Sequence, residues 1–421
     1  MTPLGERIAA LIRAGGPMTV ADYMAICLGD PEHGYYMRRD PFGRAGDFVT
    51  APEVSQMFGE LIGLWAVATF EAMGAPGRFV LAEAGPGRGT LMADLLRAAK
   101  VRPAFLAAAE VHLVETSPHL RTLQAERLAA VGIAPTWHDG VAGLPAGPLV
   151  FIANEFFDAL PVRQLVKTPE RWAERMVGLD GEGRLAFGLR ALEGLPHLSH
   201  GERSERAAER VAPGEGLRPH HQGHTPSPAS RSSIASATSP HGRGEGPPPP
   251  SPIASPTSPP GRGEEILELS PASTAIMEAL AGRIAQQGGA ALVVDYGYEG
   301  PAFGDTLQAV RAHAYADPLA EPGEADLTAH VDFAALAAAA AKAGAVPRRL
   351  LDQGTFLRRI GLEQRARRLA AGKDAATEAA IAAAVERLAG PAAMGTLFKV
   401  LAVGAPGLAL PAFDDDPPIR G

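Results

Sequence analysis

The sequence predicts an α/β fold in which helices cover a mostly parallel β-sheet. Short apolar runs alternate with longer helical segments along most of the 421 residues, and this alternation is typical of parallel sheets with helical connections. Four of the apolar runs end at a polar residue, and open α/β sheets bind ligands at the carboxyl ends of their strands. The composition, 46% hydrophobic and 20% charged, is typical of a globular protein with one large or two medium domains.

The predicted elements divide the chain into four segments. Residues 1–75 are expected to be mainly helical and to form a lid or flank, and residues 76–198 to hold the first part of the sheet. Residues 199–264 are interpreted as an insertion, and residues 265–421 as the second part of the sheet domain. Strands are predicted at residues 78–83, 111–115, 149–153, 291–295 and 395–403, and an Ala-rich helix at residues 333–342.

The predicted insertion is of low complexity. Residues 201–264 contain no Phe, Trp, Tyr or Lys and are rich in Pro, Ser, Gly and Arg. A segment of this composition buries too little apolar surface to offset its chain entropy. We therefore expect it to be disordered and to be a tolerated expansion of a surface loop.

Composition excludes several classes of function. A formal net charge of −8 argues against nucleic acid as the main partner, and a single cysteine excludes a disulfide framework and a Cys-cluster metal site. No apolar run approaches the roughly 20 residues that a bilayer span requires. Residues 1–20 are interpreted as an amphipathic helix, because Glu6, Arg7 and Arg13 interrupt their apolar stretch, and not as a signal peptide. The expected setting is the bacterial cytoplasm.

A glycine-rich turn follows the strand predicted at residues 78–83. Glu83 ends this strand, and Gly85, Gly87 and Gly89 follow at alternate positions before a helix that begins at Thr90. Such glycines allow a ligand to approach the backbone, and the helix start supplies free N–H groups. The spacing differs from the dinucleotide fingerprint, which disfavours an NAD-dependent oxidoreductase, and the acid suits a cationic ligand better than a pyrophosphate. A purely structural turn remains the alternative.

Two further acids follow the next strands. Glu115 ends the strand at 111–115, where a carboxylate is well placed to accept both hydroxyls of a ribose. It could equally cap the helix that begins near Ser117, and both roles are compatible. Asp139 follows a short run at residues 134–137, where it could meet an adenine amino group or be a solvated loop acid.

The strand at 149–153 leads into a cluster of polar and aromatic residues. Asn154, Glu155 and Asp158 surround two phenylalanines in this cluster and are predicted to form a catalytic site. The alternative is a helix N-terminus with Asn154 as its cap. A possible metal triad of Asp326, His330 and Asp332 is better explained by a helix cap and a buried polar contact, and no metal is predicted.

Together these motifs resemble those of the MidA-like S-adenosylmethionine-dependent methyltransferases, whose mitochondrial members are complex I assembly factors that methylate an arginine. The matching blocks are EAGPGRGTL, VETSP, ANEFFDALPV and VVDYGY, with residues 16–37, 46–63 and 326–333. The blocks extend over nearly the whole chain apart from the insertion.

The resemblance implies a class I methyltransferase with a Rossmann-like sheet and S-adenosyl-L-methionine as cofactor. It implies that the three glycines hold the methionine moiety above Glu83, that Glu115 binds the ribose, and that a block containing Asp47 and Thr50 covers the cofactor. Asn154, Glu155 and Asp158 then lie at the mouth of the active site. The implied acceptor is an arginine of a protein, as in a respiratory NADH dehydrogenase subunit.

Two alternatives remain open. The chain could methylate another protein residue or a small molecule, since a fold does not specify its substrate. It could also be a cofactor-binding assembly factor with little turnover.

Overall fold

The computed structural model describes residues 1–38, 50–192 and 265–413. The predicted insertion at 199–264 and Asp47 lie outside these residues. The segment boundaries proposed above at 75, 198 and 264 stay predictions.

The strands and helices are numbered in chain order. The strands are β1 (Met18–Thr19), β2 (Phe79–Ala84), β3 (Ala109–Val114), β4 (Thr136–His138), β5 (Leu149–Asn154), β6 (Arg163–Lys167), β7 (Trp172–Leu179), β8 (Leu185–Ala191), β9 (Glu265–Leu269), β10 (Gly289–Tyr298), β11 (Gln308–Arg311), β12 (Ala314–Ala316), β13 (Asp326–Thr328), β14 (Val331–Asp332), β15 (Val346–Pro347), β16 (Leu351–Asp352) and β17 (Phe398–Gly404). The α-helices are α1 (Pro3–Gly15), α2 (Val20–Gly29), α3 (Tyr35–Arg38), α4 (Ala51–Val54), α5 (Gln56–Ala72), α6 (Thr90–Ala98), α7 (Pro103–Ala108), α8 (Pro118–Ala129), α9 (Pro271–Gln287), α10 (Phe333–Lys342), α11 (Gln353–Arg359), α12 (Leu362–Ala370), α13 (Ala375–Ala389) and α14 (Met394–Leu397).

The main sheet is mostly parallel, as the sequence predicts. Its strands lie in the order β15-β17-β10-β5-β2-β3-β4, with β14 beside β10 and β16 beside β17. Neighbouring strands from β4 to β10 are parallel, whereas β17 is antiparallel to β10. All five predicted strands are confirmed, although the last begins at Phe398 because α14 occupies the residues before it.

The chain reverses its direction of travel across the sheet between β2 and β5. It runs from β2 outward to β3 and β4 and then returns to β5 on the other side of β2. Ligands of open α/β sheets bind at such switch points. Ala84 pairs with Ala153, and Asn154 pairs with Val294, so β2 and β5 end at nearly the same level, whereas β10 continues past them to Tyr298. The loops after β2 and β5 therefore meet at one edge, beside β10.

Alternating side chains of the central strands supply two apolar layers. Leu81 and Ile152 face a layer that includes α5 and α6, whereas Ala82 and Phe151 face α9 and α10. Trp65 of α5 is 1% exposed and lies in the first layer. The described residues of the first segment are mainly helical, and α5 packs in this layer. The expectation that the segment forms a lid or flank stays a prediction.

The remaining strands form two smaller sheets. One has the order β1-β7-β6-β9 with β8 beside β7, and the other is β12-β11-β13. Helices α1 and α2 pack with these sheets through Ile8, Tyr23 and Val177 in an apolar cluster that also includes Leu327. No helix in the described part of the chain is both long enough and apolar enough to cross a bilayer.

Candidate active site

The glycine loop after β2 has the backbone geometry that its sequence predicts. Gly85, Gly87 and Gly89 have φ angles of 62°, 57° and 74°, a region that favours glycine because a Cβ is strained there. The Gly89 N–H donates to the Pro86 carbonyl at 2.7 Å, closing a tight turn before α6 begins at Thr90. The loop thus exposes backbone at the end of β2, which a bulkier sequence could not do.

Glu83 lies buried beneath this loop, with 2% of its surface exposed. Burial raises the pKa of its carboxyl group to about 8, although the backbone N–H of Met92 donates to it. Its Oε2 atom makes no hydrogen bond to another residue in the part of the chain that the structure describes. Since an unpartnered buried carboxylate is costly, this atom is suited to receive a cationic ligand.

A cleft lies beside Glu83 at the switch point and is partly open to solvent. Its lining residues come from α4 and the turn before it, the glycine loop and the ends of β2 and β5: Thr50, Pro52, Glu53, Glu83, Gly85, Pro86, Gly87, Arg88, Thr90, Leu91 and Asn154. The structure therefore brings together five of the predicted cofactor residues and one of the predicted catalytic residues. Five other predicted site residues do not line this cleft: Gly89, Glu115, Asp139, Glu155 and Asp158.

Three buried side-chain oxygen atoms of the cleft make no hydrogen bond to any residue within 1–38, 50–192 and 265–413. They are Thr50 Oγ1, Glu83 Oε2 and Asn154 Oδ1. All three can accept hydrogen bonds, and an ammonium group has three donors to offer. S-adenosylmethionine carries such an ammonium group on its methionine part, so the residues present fit this cofactor.

Glu115 is buried at the end of β3, 1% exposed. Its Oε1 accepts from the Ser117 N–H at 2.8 Å, and its Oε2 accepts from Gln124 Nε2 at 3.1 Å. Ser117 caps α8 and accepts in turn from the Leu120 N–H. The contact with the start of α8 is thus present, and ribose binding by Glu115 stays a prediction.

Asp139 lies at the edge of the sheet, after β4. Its side chain is 82% exposed and pairs with the Arg121 guanidinium at 2.5 Å. This is the geometry of a solvated loop acid. Adenine binding by Asp139 is accordingly a prediction without a contact to support it.

No helix begins after β5, so the alternative interpretation of residues 154–158 as a helix N-terminus is wrong. The chain instead turns and continues into β6. Glu155 has a φ angle of 49°, a strained conformation for a residue other than glycine. Its carboxylate accepts from the Asn154 side-chain amide at 3.2 Å and from the Ala51 backbone N–H. Glu155 therefore connects the β5 loop to α4.

Asp158 lies further along the same loop, 4% exposed, and its Oδ1 atom forms no hydrogen bond with any other described residue. Burial raises the pKa of its carboxyl group. For Glu155, burial and then the nearby charge of Asp158 raise the pKa well above its usual range. The two acids thus face each other in a setting where a bound cation would favour their ionised forms.

Other members of this acidic region were not predicted from the sequence. Asp295, in the carboxyl-terminal half of β10, accepts from the backbone N–H groups of Phe157 and Asp158 at 3.0 and 3.2 Å. Burial, and then the charge of Asp158, raises its pKa well above the usual range. Asp295 ends a predicted strand level with Asn154, and that position was the available signal.

Tyrosines surround the same region. The Tyr36 hydroxyl donates to Asp326 at 2.5 Å, and both side chains are buried. The buried Tyr296 hydroxyl faces Asp158 without forming a hydrogen bond of normal geometry. These residues come from segments distant in sequence, and only their motif blocks marked them in advance.

The possible metal triad has the structural explanation expected for it. Asp332 caps α10 by accepting from the Ala335 N–H at 3.0 Å, and Asp326 is bonded to Tyr36. Within residues 1–38, 50–192 and 265–413, no group of three or more His, Cys, Asp or Glu side chains could hold a metal ion.

The fold and the cleft together define an S-adenosylmethionine-dependent methyltransferase. Residues 61–350 match the model of a family described as "Putative S-adenosyl-L-methionine-dependent methyltransferase". A crystal structure of a methyl transferase homologue from Burkholderia thailandensis bound to S-adenosyl-homocysteine is 27% identical, with a TM-score of 0.72 over 98% of this chain and 96% of that one. The chain belongs to this methyltransferase family.

Its similarity to curated relatives extends over most of its length. The protein arginine methyltransferase NDUFAF7 homolog, mitochondrial, of Drosophila melanogaster is 35% identical over 99% of this chain and 88% of its own length. The human protein arginine methyltransferase NDUFAF7, mitochondrial, is 34% identical over 87% of this chain and 75% of its own. These findings confirm the resemblance inferred from the motifs and the use of S-adenosylmethionine.

Proposed function

We propose that this protein transfers a methyl group from S-adenosylmethionine to an arginine side chain of a protein. Glu155 and Asp158 bind the arginine, and Asn154 lies between them and the cofactor. The two relatives described above are named protein arginine methyltransferases, which supports this choice of acceptor.

The observation that carries the proposal is the set of buried carboxylates beside the cleft. Asp158 Oδ1 is buried and makes no hydrogen bond to another described residue, and the charge of Asp158 helps to raise the pKa values of its neighbours Glu155 and Asp295. Arg387 of α13 lies near enough to Glu155 for their charges to interact, but burial lowers the pKa of this guanidinium. An entering guanidinium would supply positive charge where the protein has an excess of acids.

The cofactor residues have separable roles in this proposal. Thr50, Glu83 and Asn154 hold the ammonium group through their unpartnered oxygens, and Gly85, Gly87 and Gly89 let the methionine part lie against the backbone. Thr90 lies at the start of α6 beside this group, and Glu115 accepts the ribose hydroxyls. Asp139 for the adenine and Asp47 above the cofactor complete the proposed set.

The acids would do three things for the acceptor. When bound, S-adenosylmethionine supplies an electrophilic methyl group on a sulfonium. Glu155 and Asp158 orient the guanidinium and localise its charge on the nitrogens that they contact, leaving another nitrogen richer in electrons. Burial keeps water away from that nitrogen, and the raised pKa of Asp158 suits it to take up the proton that the methylated nitrogen releases.

The acceptor protein in this proposal is a subunit of a respiratory NADH dehydrogenase type complex, in the bacterial cytoplasm. The resemblance to assembly factors of that complex supports the target. The single cysteine, Cys27, is buried and free, which fits a reducing compartment. The measurement is a comparison of methylated arginines in the proteomes of wild-type and deletion strains.

The direct test is the double variant Glu155→Gln with Asp158→Asn. We expect methyl transfer to an arginine peptide to fall by at least about 100-fold, because two charge-assisted contacts to the guanidinium are lost. Affinity for S-adenosylhomocysteine should change less than about threefold. Radiolabel transfer and calorimetric titration measure the two quantities.

A matched control is Glu268→Gln. Glu268 is also a buried acid whose pKa is raised by burial, but it lies on β9 and bonds Gln164 and Thr306. This variant should retain transfer. Wild-type turnover in the double variant would contradict the proposed role of the acids.

A further inference from the structure

Gln124 of α8 connects three separate parts of the cofactor region. Its Nε2 atom donates to the Gly87 carbonyl at 2.6 Å and to Glu115 Oε2 at 3.1 Å. Its Oε1 atom accepts from the Trp137 indole N–H at 2.8 Å. The side chain is fully buried. One amide thus joins the glycine loop, the end of β3 and the edge strand β4.

These partners fix the orientation of the amide. Gly87 and Glu115 offer only oxygen acceptors to Gln124, whereas the Trp137 indole offers only a donor. Turning the amide over would place its oxygen against two oxygens and its NH₂ group against the indole N–H. All three hydrogen bonds would then be lost in a buried setting, where unmade bonds are costly.

The amide acts on Glu115 directly. Gln124 holds one carboxylate oxygen and the Ser117 N–H holds the other. Because each bond holds a different oxygen, the two bonds together set the plane of the carboxylate. Its rotation, and with it the direction in which it can receive further donors, is determined by α8.

The amide also acts on the glycine loop. In a trans peptide the carbonyl oxygen and the following N–H point in opposite directions. Because Gln124 draws the Gly87 carbonyl toward α8, the Arg88 N–H points the other way. Gly87 and Arg88 both line the cleft, so this bond selects which backbone groups face a ligand.

We propose that Gln124 is a positioning residue that sets Glu115 and the Gly87 peptide for the ribose and methionine parts of the cofactor. The part concerning ribose rests on the role proposed above for Glu115. The three hydrogen bonds of Gln124 go to Gly87, Glu115 and Trp137 and not to the acids after β5. Its loss should therefore weaken cofactor binding and leave the handling of the acceptor unchanged.

The test compares S-adenosylhomocysteine with its 2′-deoxy analogue by calorimetric titration. In the wild-type protein, removing a hydroxyl that bonds a carboxylate should weaken binding by about 10- to 100-fold. The affinity ratio is the affinity for S-adenosylhomocysteine divided by the affinity for its 2′-deoxy analogue. In Gln124→Met, which keeps the volume of the side chain but not its hydrogen bonds, this ratio should shrink at least about threefold. A general loss of stability would weaken both ligands equally and leave the ratio unchanged, so an unchanged ratio overturns the proposal.

Two further variants keep the test decisive. Trp137→Phe removes only the indole donor, should reduce the ratio less than Gln124→Met does, and carries the test if Gln124→Met does not fold. An unchanged ratio in that case also overturns the proposal. Gln164→Met is the matched control, because Gln164 is another fully buried glutamine with three side-chain hydrogen bonds, to Glu268, Asp305 and Arg175. It should leave the ratio at its wild-type value.

Glu115→Ala separates this inference from the proposed function. If the ratio survives Glu115→Ala, the ribose assignment is wrong and the role of Gln124 is overturned with it. If Glu115→Ala removes the ratio but Gln124→Met retains it, only the role of Gln124 is overturned. Loss of the ratio in both variants is the expected result.

Discussion

The loops after β2 and β5 follow neighbouring strands that end at the same level, but they present different chemical groups. The β2 loop presents backbone, with three glycines in the left-handed region and one buried acid beneath it. The β5 loop presents side chains, and its acid Glu155 adopts a left-handed conformation without the freedom of glycine. The first loop is shaped to let a ligand approach, and the second to hold a charge.

The difference extends to how charge is balanced. Glu83 is alone beneath its loop and accepts a backbone N–H from α6. Asp158 lies among other acids, and its backbone is held by one of them, Asp295. A single cation can satisfy Glu83, whereas the acidic region after β5 requires a cation that can bond several oxygens at once. A planar guanidinium has five N–H donors and meets that requirement.

The largest effect is expected from a substitution that disturbs the backbone of the β2 loop. Gly87 lines the cleft. Gly87→Val places a β-branched residue at a φ angle of 57°, a conformation that such residues rarely adopt. We expect the affinity for S-adenosylmethionine, measured by calorimetry, to fall by at least about 100-fold, since the loop must change its path.

Gly132→Val is the matched control for backbone strain. Gly132 has a φ angle of 83° and would meet nothing within 4 Å of an added Cβ. This variant should lose stability but bind S-adenosylmethionine as the wild type does. Equal losses of affinity in both variants would mean that the β2 loop has no special role in binding.

A smaller effect concerns the one acid beneath the β2 loop. Glu83 has a pKa of about 8 in the unliganded protein because of burial, so it is mostly protonated at pH 6.5. An ammonium ligand favours its ionised form, and binding should then release close to one proton. Affinity for S-adenosylhomocysteine should rise by nearly tenfold per pH unit up to about pH 8 and then level off.

Glu83→Gln should abolish both the proton release and the pH slope below pH 8. Calorimetry in two buffers with different enthalpies of ionisation measures the protons released. The same raised pKa means that the unliganded wild type loses stability from this group as pH rises from about 4.5 to 8, because the folded state binds the proton more tightly. A proton release that persists in Glu83→Gln would assign it to another group.

The two loops also differ in how far the sequence predicts them. The spacing of Gly85, Gly87 and Gly89 after an apolar strand is a local signal, so the turn and its backbone conformation could be predicted. Asn154, Glu155 and Asp158 are local as well, and their position at a strand end is confirmed. The acids and tyrosines around them are not local, because Tyr36 and Asp326 meet only through tertiary packing.

Side-chain pairing within the predicted cofactor set could not be predicted either. Glu115 is oriented by Gln124, nine residues further along the chain, and the hydrogen bond depends on how α8 packs against the glycine loop. Asp139 pairs with Arg121 at the surface, which depends on the same packing. The positions of the strands and their ends follow from apolar runs, whereas the direction of a buried amide follows from its partners.

The smallest expected effect concerns the acidic region after β5 and the binding of the acceptor. Tyr36→Phe removes the hydroxyl that donates to the buried Asp326, and the carboxylate loses a charge-assisted hydrogen bond. We expect KM for an arginine peptide to rise about three- to tenfold while the affinity for S-adenosylhomocysteine stays within about twofold. Steady-state kinetics and calorimetry on the same preparation separate the two quantities.

Tyr23→Phe is the matched control, because the Tyr23 hydroxyl is also buried and donates at 2.5 Å, but to the Pro318 carbonyl. Both variants lose one buried hydrogen bond, so both should lower Tm by similar amounts. Only Tyr36→Phe should raise KM for the peptide. Equal kinetics in the two variants would confine the acceptor site to the β5 loop itself, whereas a change in Tyr36→Phe alone would extend that site to α3 and β13.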